Sequence, residues 1–259
     1  MHIARKRFGQ NFLHDPGIVR RIHQAIDARP GERLVEIGPG QGAITRGLLE
    51  AAGRLDAIEL DRDLIEPLRT RLGGLGALSI HSADALTFEL CGLLDDPDQP
   101  RLRVVGNLPY NISTPLLFRF LEQSRCIRDL HLMLQLEVVE RIVADPGSKT
   151  YGRLSVAVQT WCEAELLFRI GAGAFVPAPK VESAFLRLRP HRPLPSPVDN
   201  PSLHARIVAA AFAQRRKTLR NSLRDLVGPE LLAQAGVDPG LRAEALSVAD
   251  FARIANLAA

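Results

Sequence analysis

Cysteine is scarce in this chain: three in 259 residues, Cys91, Cys126 and Cys162, with no two at C-x-x-C spacing. Neither a disulfide framework nor a zinc site is indicated, and a reducing compartment is expected. Long apolar runs are missing too, none approaching the roughly 20 residues that span a bilayer, so no membrane association is expected. The basic start Arg5-Lys6-Arg7 lacks a following apolar stretch, so it does not read as a secretory signal, and a soluble, cytoplasmic protein is expected. The seven histidines, among them His14, His81 and His131, form no cluster. They read as structural or exposed, and no metal is implied.

What is present fits an ordinary globular protein: 46% hydrophobic and 24% charged residues argue against extensive disorder. A chain of this length buries roughly three quarters of its unfolded surface, enough for one large domain or a main domain with a small one. The net charge of +4 favours a polyanionic partner, usually nucleic acid.

Residues 1–14 read as a basic arm. Asp15-Pro16 then opens a helix whose Ile18, Ile22 and Ile26 share one face. Strands are expected at 34–37, 55–60, 78–80, 102–105 and 130–136, with helices between most of them. The pattern at 154–161 admits helix or strand, and helix is favoured. Segments 164–170 and 183–188 read as a closing antiparallel pair. Alternation of strand and helix points to a parallel sheet covered on both faces. Pro193, Pro195, Pro197 and Pro201 crowd a linker, and only helical patterns follow: 203–213 continuing towards Leu226, 229–235 and 247–257. The expected division is therefore 1–190 and a small helical domain at 195–259.

Gly38-x-Gly40-x-Gly42 lies between a strand and a helix, where close approach of backbone to a ligand requires missing side chains. A dinucleotide remains open on this pattern alone. However, the dinucleotide fingerprint wants its third glycine where Ala43 stands. Glu59 ends the second strand and Asp84 follows the third. Carboxylates there can accept ribose hydroxyls and an adenine amine, or each can simply cap a following helix. Together with the glycines they suit an adenosine cofactor without a pyrophosphate.

The stretch Asn107-Leu108-Pro109-Tyr110-Asn111-Ile112-Ser113 follows the fourth strand, with Ser113 expected as a helix N-cap. It brings a side-chain amide, a backbone carbonyl and a flat ring to the rim of the sheet. With the glycine turn, the tetrapeptide Asn107-Leu108-Pro109-Tyr110 resembles that of S-adenosylmethionine-dependent amino-methyltransferases. More narrowly, the chain resembles the family of small-subunit rRNA adenine dimethyltransferases, bacterial members above all. The resemblance rests on the arm 5–13, the turn 35–42, Ile58-Glu59-Leu60-Asp61, 107–114 and Tyr151-Gly152-Arg153-Leu154-Ser155. Phe175-x-Pro177-x-Pro179-Lys180-Val181 and 215–221 complete it, so the matching blocks run from end to end.

The resemblance implies a Rossmann-like class I methyltransferase fold: α/β, a seven-stranded, mostly parallel sheet with an antiparallel closing strand, plus a small all-α C-terminal domain. It implies that Asn11, Leu13, Glu36, Gly38, Gly40, Gly42, Glu59, Asp84 and Asn107 hold S-adenosylmethionine, Glu36 supporting the methionine end. The implied product is N6,N6-dimethyladenosine at two adjacent adenosines in a hairpin loop near the 3′ end of small-subunit rRNA. The implied partner is that RNA within an immature small subunit, with a further role in subunit biogenesis and a free protein that is monomeric. Leu108 stands where many amino-methyltransferases have proline, which the expected role of its carbonyl tolerates.

For the reaction, Asn107 Oδ1 and the Leu108 carbonyl would accept from the adenine N6–H, with Pro109 stiffening the turn. Tyr110 would stack on the base and Phe175 would cover its other face. For RNA, Arg216, Arg220 and Arg224 recur every four residues beside Arg215 and Lys217, opposite Leu219, Leu223 and Leu226. A single long helix with a cationic stripe for phosphates is expected, supplemented by Arg5, Lys6 and Arg7 of the arm. Within the family pattern, a large-subunit rRNA adenine methyltransferase is the nearest alternative. An assembly checkpoint for which methylation is secondary is a rival of a different class.

Overall fold

Asp15 is extended (φ −70°, ψ 115°) and its carboxylate accepts the backbone N–H groups of Gly17 and Ile18, so the first helix begins at the next residue, Pro16. Capping chemistry of this kind sets the limits of several elements. The computed structural model describes residues 10–96 and 101–259. Arg5, Lys6 and Arg7 lie outside the described residues, as do positions 97–100 of the polar loop.

In chain order the elements begin with β1 (Phe12–Leu13), α1 (Pro16–Ile26), β2 (Arg33–Ile37), α2 (Thr45–Ala52), β3 (Arg54–Glu59) and α3 (Arg62–Leu72). There follow β4 (Ala77–Ser82), β5 (Leu102–Asn107), α4 (Ser113–Glu122), β6 (Ile127–Gln135), α5 (Leu136–Ile142) and α6 (Arg153–Gln159). Then come β7 (Cys162–Ile170), β8 (Phe175–Val176), β9 (Ser183–Pro190) and the helices α7 (Pro201–Phe212), α8 (Leu219–Ser222), α9 (Pro229–Gln234) and α10 (Val248–Leu257). Among the described residues no helix is long and apolar enough to cross a membrane.

Seven strands form one sheet in the order β4-β3-β2-β5-β6-β9-β7. The first five in that order are parallel to their neighbours and β9 runs antiparallel to β6. This is the Rossmann-like arrangement expected. The chain moves outward from β2 through β3 to β4, then returns to the other side of β2 for β5. Strand order thus reverses between β2 and β5, and a crevice opens at their carboxyl ends. A feature the sequence pattern did not show is a second, two-stranded sheet. Phe12 and Leu13 of the arm pair antiparallel with Val176 and Phe175.

The chain divides into two compact units. One comprises Met1–Val139 and Glu165–Pro190, the other Glu140–Ala164 and His191–Ala259. The expected single cut near 190 therefore omitted two crossings, at 139/140 and 164/165. Residues 140–164, with Ala144, Tyr151 and Val156 buried, share a core with Ile207, Leu219, Leu232, Leu246, Phe251 and Ile254. Helix α6 supplies apolar surface that the C-terminal helices need, a contact between segments too distant in sequence to read. The core of the first unit joins Ile22, Ile26, Leu48, Leu55, Leu68 and Phe185 with Leu13 of the arm.

Two further expectations are corrected. The helix from 203 does not continue towards Leu226: α7 ends at Phe212 and α8 spans only Leu219–Ser222. Thr218 is extended (φ −72°, ψ 161°), and the Leu219 and Arg220 N–H groups donate to the carbonyls of Leu241 and Pro239 instead of to a preceding turn. Cys91 and Cys126, 35 residues apart, are disulfide-bonded with Cα atoms 5.5 Å apart, against the expectation of no disulfide. The short turn Leu90–Leu93 packs on the end of α4, where the Gln123 side chain accepts from the Leu90 N–H and donates to the Phe88 carbonyl. Tertiary packing, invisible in the spacing, brings the two sulfurs together. Cys162 is free and buried.

Candidate active site

At the carboxyl ends of β2, β3 and β5 lies an open cavity of about 230 Å³. Its walls come from five places: the arm, the turn after β2, the end of β3, the turn after β4 and the stretch after β5.

The turn after β2 is built for a left-handed backbone. Gly38, Gly40 and Gly42 have φ of 64°, 56° and 76°, a region that residues with a Cβ rarely adopt. Gly38 and Gly40 line the cavity and Gly42 does not. A Cβ on Gly40 would stand 3.2 Å from the ring of Phe12, whereas one on Gly42 would meet Leu68 Cδ1 at 2.6 Å. Gly42 therefore serves the packing of α3, and its expected place in the cofactor pocket is corrected.

Glu59 is buried, and its two carboxylate oxygens accept the N–H groups of Gly40 (3.1 Å) and Asp61 (2.8 Å). The cap of α3 is Asp61, whose side chain accepts from the Asp63 N–H. The helix-cap alternative for Glu59 is thereby excluded. Burial pushes the Glu59 carboxyl above its usual range, against the pull of those backbone N–H groups. Asp84 lines the cavity while Oδ1 accepts the Leu86 N–H at 2.9 Å, so it shapes a turn and caps no helix.

Glu36, on β2, is buried at the cavity wall, and its Oε2 has no hydrogen-bond partner. Burial pushes its carboxyl up to about 7, with the nearby Glu59 charge adding to the rise and the Thr45 hydroxyl drawing it down. That hydroxyl lies beside the carboxyl without meeting hydrogen-bond geometry, and Thr45 Oγ1 is itself unpartnered. An unpaired buried carboxyl facing a cavity is a group waiting for a donor or a cation.

After β5 the backbone is pinned on both sides. The Leu108 N–H donates to the Met133 carbonyl (3.2 Å) and the Ile112 N–H to the Pro109 carbonyl (3.1 Å). Ser113 is the first residue of α4 and not its N-cap; its hydroxyl turns back to donate to the Tyr110 carbonyl at 3.1 Å. The Asn107 side chain donates from Nδ2 to the Asn11 carbonyl at 3.0 Å. A carbonyl only accepts, so this contact decides the amide's orientation and leaves Oδ1 on the opposite edge. Asn107, Leu108, Pro109 and Tyr110 all line the cavity, as do Asn11 and Leu13.

Phe175 does not join them. It is 2% exposed, packed in the core of the first unit and paired in register with Leu13. The expected covering of a bound base by Phe175 is corrected: strand pairing with the arm turns its ring inward and leaves Val176, 54% exposed, on the outer side. Leu60 joins the cavity without a site role having been marked for it in the sequence. It lines the cavity directly after Glu59 and is 48% exposed, which is unusual for a large apolar side chain. The available signal was its place between two acidic residues at a strand end.

In the second unit Arg215, Arg216, Lys217, Arg220 and Arg224 are all exposed. They occupy the connection after α7, the short α8 and the residues beyond it, so no continuous helical stripe exists. Arg215 donates to the Lys149 carbonyl at 3.3 Å and Arg224 pairs with Asp225 at 3.6 Å.

Known proteins resemble the whole chain. The family model for ribosomal RNA adenine dimethylase matches residues 1–259. A Pseudomonas aeruginosa protein named ribosomal RNA small subunit methyltransferase A is 55% identical over 255 residues, covering 98% of this chain and 94% of its own. A protein of the same name from Marinobacter nauticus is 52% identical over 258 residues, covering 100% and 92%. Among solved structures, the 23S rRNA methyltransferase ErmE superposes with a TM-score of 0.73 at 28% identity, covering 95% of this chain and 99% of its own. A dimethyladenosine transferase from Plasmodium falciparum shares the fold with a TM-score of 0.80 at 23% identity, covering 94% and 95%. A glycine turn, two strand-end carboxylates and an Asn-Leu-Pro-Tyr rim accompany likeness over the full length, and the chain belongs to the ribosomal RNA adenine dimethylase family.

Proposed function

We propose that the protein transfers methyl groups from S-adenosylmethionine to N6 of two adjacent adenosines in the hairpin loop near the 3′ end of small-subunit rRNA. The observation that carries the reading is the Asn107 amide. Its donor end is held by the Asn11 carbonyl at the rim of a cavity whose other walls carry Glu36, Glu59 and Asp84.

The cavity fits the donor. The unpartnered Oε2 of Glu36 suits the ammonium of a methionine moiety, Glu59 accepts from ribose hydroxyls, and Asp84 accepts from an adenine amine. Leu60 offers an apolar face for that adenine. S-adenosylmethionine supplies a methyl group on a sulfonium sulfur, electrophilic enough to need no further activation.

The protein's task is to make a poor nucleophile attack in line. The lone pair of an adenine amine is delocalised into its ring. Acceptors at Asn107 Oδ1 and the Leu108 carbonyl engage the N6–H groups, favour a pyramidal nitrogen and stabilise the positive charge that develops there. In that arrangement the new N–C bond would form as the methyl C–S bond of the bound donor broke, with the electron pair going to sulfur, and the extra proton on N6 would pass to solvent. Tyr110 provides a stacking face for the base, which must leave its loop stack to enter.

Arg216, Lys217 and Arg220, exposed in the second unit, serve the RNA backbone, and Arg215 and Arg224 extend the charge. Such contacts give affinity and register but little base choice. Arg5, Lys6 and Arg7 of the arm join them in this reading. The physiological substrate is the RNA within an immature small subunit in the cytoplasm, where the protein also serves subunit biogenesis; free, it is monomeric.

The test is transfer of radiolabelled methyl groups to undermethylated ribosomal RNA. Label at two adjacent adenosines of the small-subunit hairpin, lost in Asn107→Ala while S-adenosylmethionine binding persists, is the expected result. Full activity of that variant overturns the mechanism, and label in large-subunit RNA overturns the substrate.

A further inference from the structure

We propose that Ser183 is a positioning residue, and that its hydrogen bond to Tyr110 governs the second methyl transfer more than the first. This rests on the function proposed above. Tyr110 Oη and Ser183 Oγ lie 2.6 Å apart. Ser183 is fully buried at the first position of β9, opposite Gln135 where β6 ends. The residue before it gives its carbonyl to the Leu136 N–H at 2.9 Å, so Ser183 is fixed to the rigid part of the sheet.

A hydroxyl buried at a strand position destabilises the fold unless it is bonded, and alanine would fill such a site without that cost. The bond reaches across to the one aromatic side chain that lines the cavity after β5. Tyr110 is thereby held at two points. The Ser113 hydroxyl bonds its backbone carbonyl and Ser183 bonds the far end of its ring. Rotation about the two side-chain torsions, which a half-buried phenol otherwise retains, is restricted to one ring plane.

The plane matters unequally to the two transfers. An unmodified adenine amine has two N–H groups, one for each acceptor at Asn107 and Leu108. After one methyl group is added only a single N–H remains. The monomethylated amine must present its lone pair with one directional hydrogen bond fewer, so stacking on Tyr110 carries a larger share of the alignment. Loosening the ring should therefore leave the product at the monomethyl stage.

The experiment follows N6-monomethyl- and N6,N6-dimethyladenosine over time on undermethylated small-subunit RNA, for wild type, Ser183→Ala, Tyr110→Phe and the double variant. For each single variant the second transfer slows about tenfold relative to the first, and monomethyladenosine accumulates. KM for S-adenosylmethionine stays at the wild-type value, as does the melting temperature of Ser183→Ala and of the double variant, whereas Tyr110→Phe leaves the Ser183 hydroxyl buried and unbonded and melts lower. The double variant matches the singles, because both remove one bond. A wild-type product ratio in Ser183→Ala, equal slowing of both steps, or losses that multiply in the double variant would overturn the proposal. If wild type itself places no methyl groups on adenine N6, the parent reading fails and the bond has no such step to govern.

Discussion

The side-chain amide of Asn107 and the backbone carbonyl of Asn11 meet at 3.0 Å, joining the rim of the sheet to a residue 96 positions earlier. The hydrogen bond does two things at once. It fixes which edge of the amide is the donor, leaving Oδ1 on the opposite edge, and it holds the arm at the cavity wall, where Phe12 also lies against Gly40 and Gln10 donates to Asp61 at 3.1 Å.

Asn107→Asp tests that coupling. A carboxylate in place of the amide sets like-charged oxygens against the Asn11 carbonyl and removes the donor. Methyl transfer should fall by about a hundredfold or more, and amide exchange at residues 11–14 should quicken. Slow exchange there in an inactive variant would detach the arm from the amide.

With Glu36 at the methionine end of the pocket, as proposed, donor binding should depend on pH. The Glu36 carboxyl is pushed up to about 7, above its ordinary value, so in the free protein it is largely protonated at pH 6 and ionised at pH 8. A cationic ligand needs the ionised form, and binding releases the proton as pH falls. Affinity for S-adenosylmethionine should be about tenfold weaker at pH 6 than at pH 8, with proton release visible in calorimetry across buffers. Glu36→Gln should bind weakly at both values. A pH slope retained in that variant would assign the titration elsewhere.

Two neighbouring glycines should fail differently. Gly42→Ala drives a Cβ into Leu68 at a left-handed φ, away from the cavity, and should cost stability by about 1–3 kcal/mol. Gly40→Ala presses on Phe12 at the cavity wall and should weaken donor binding as well. Paired thermal melts and titrations separate the two. Equal effects on binding would return Gly42 to the pocket.

Arg216→Ala and Arg220→Ala should each weaken RNA binding and lower the salt slope of log K by about one for each phosphate left unneutralised. Donor affinity should not change. An unaltered salt dependence would remove these side chains from the RNA surface.

Much of the site is legible in local chemistry alone. Asp15-Pro16 names a helix start because a carboxylate and a proline have only local work to do there. Gly38 and Gly40 name a strand-to-helix turn that a ligand can approach closely for the same reason, and Glu59 and Asp84 follow from the lengths of β3 and β4. The failures concern partners that propensity does not name, most of them distant in the chain. Ser113 looked like a cap by composition, yet its hydroxyl found the Tyr110 carbonyl. The arginines at 216, 220 and 224 had helical spacing, but the carbonyls of Leu241 and Pro239 drew α8 into a separate turn.

By itself, then, the sequence determined the order of strands and helices, the glycine turn, the two strand-end acids and the Asn-Leu-Pro-Tyr rim, since local propensity and side-chain chemistry act over a few residues. Only the tertiary structure decided which way those groups face. Pairing of Phe12 and Leu13 with β8 turned Phe175 into the core, Leu68 claimed Gly42, and the Asn11 carbonyl oriented Asn107. Each outcome depends on an interaction between residues far apart in the chain, where packing and hydrogen-bond satisfaction override spacing.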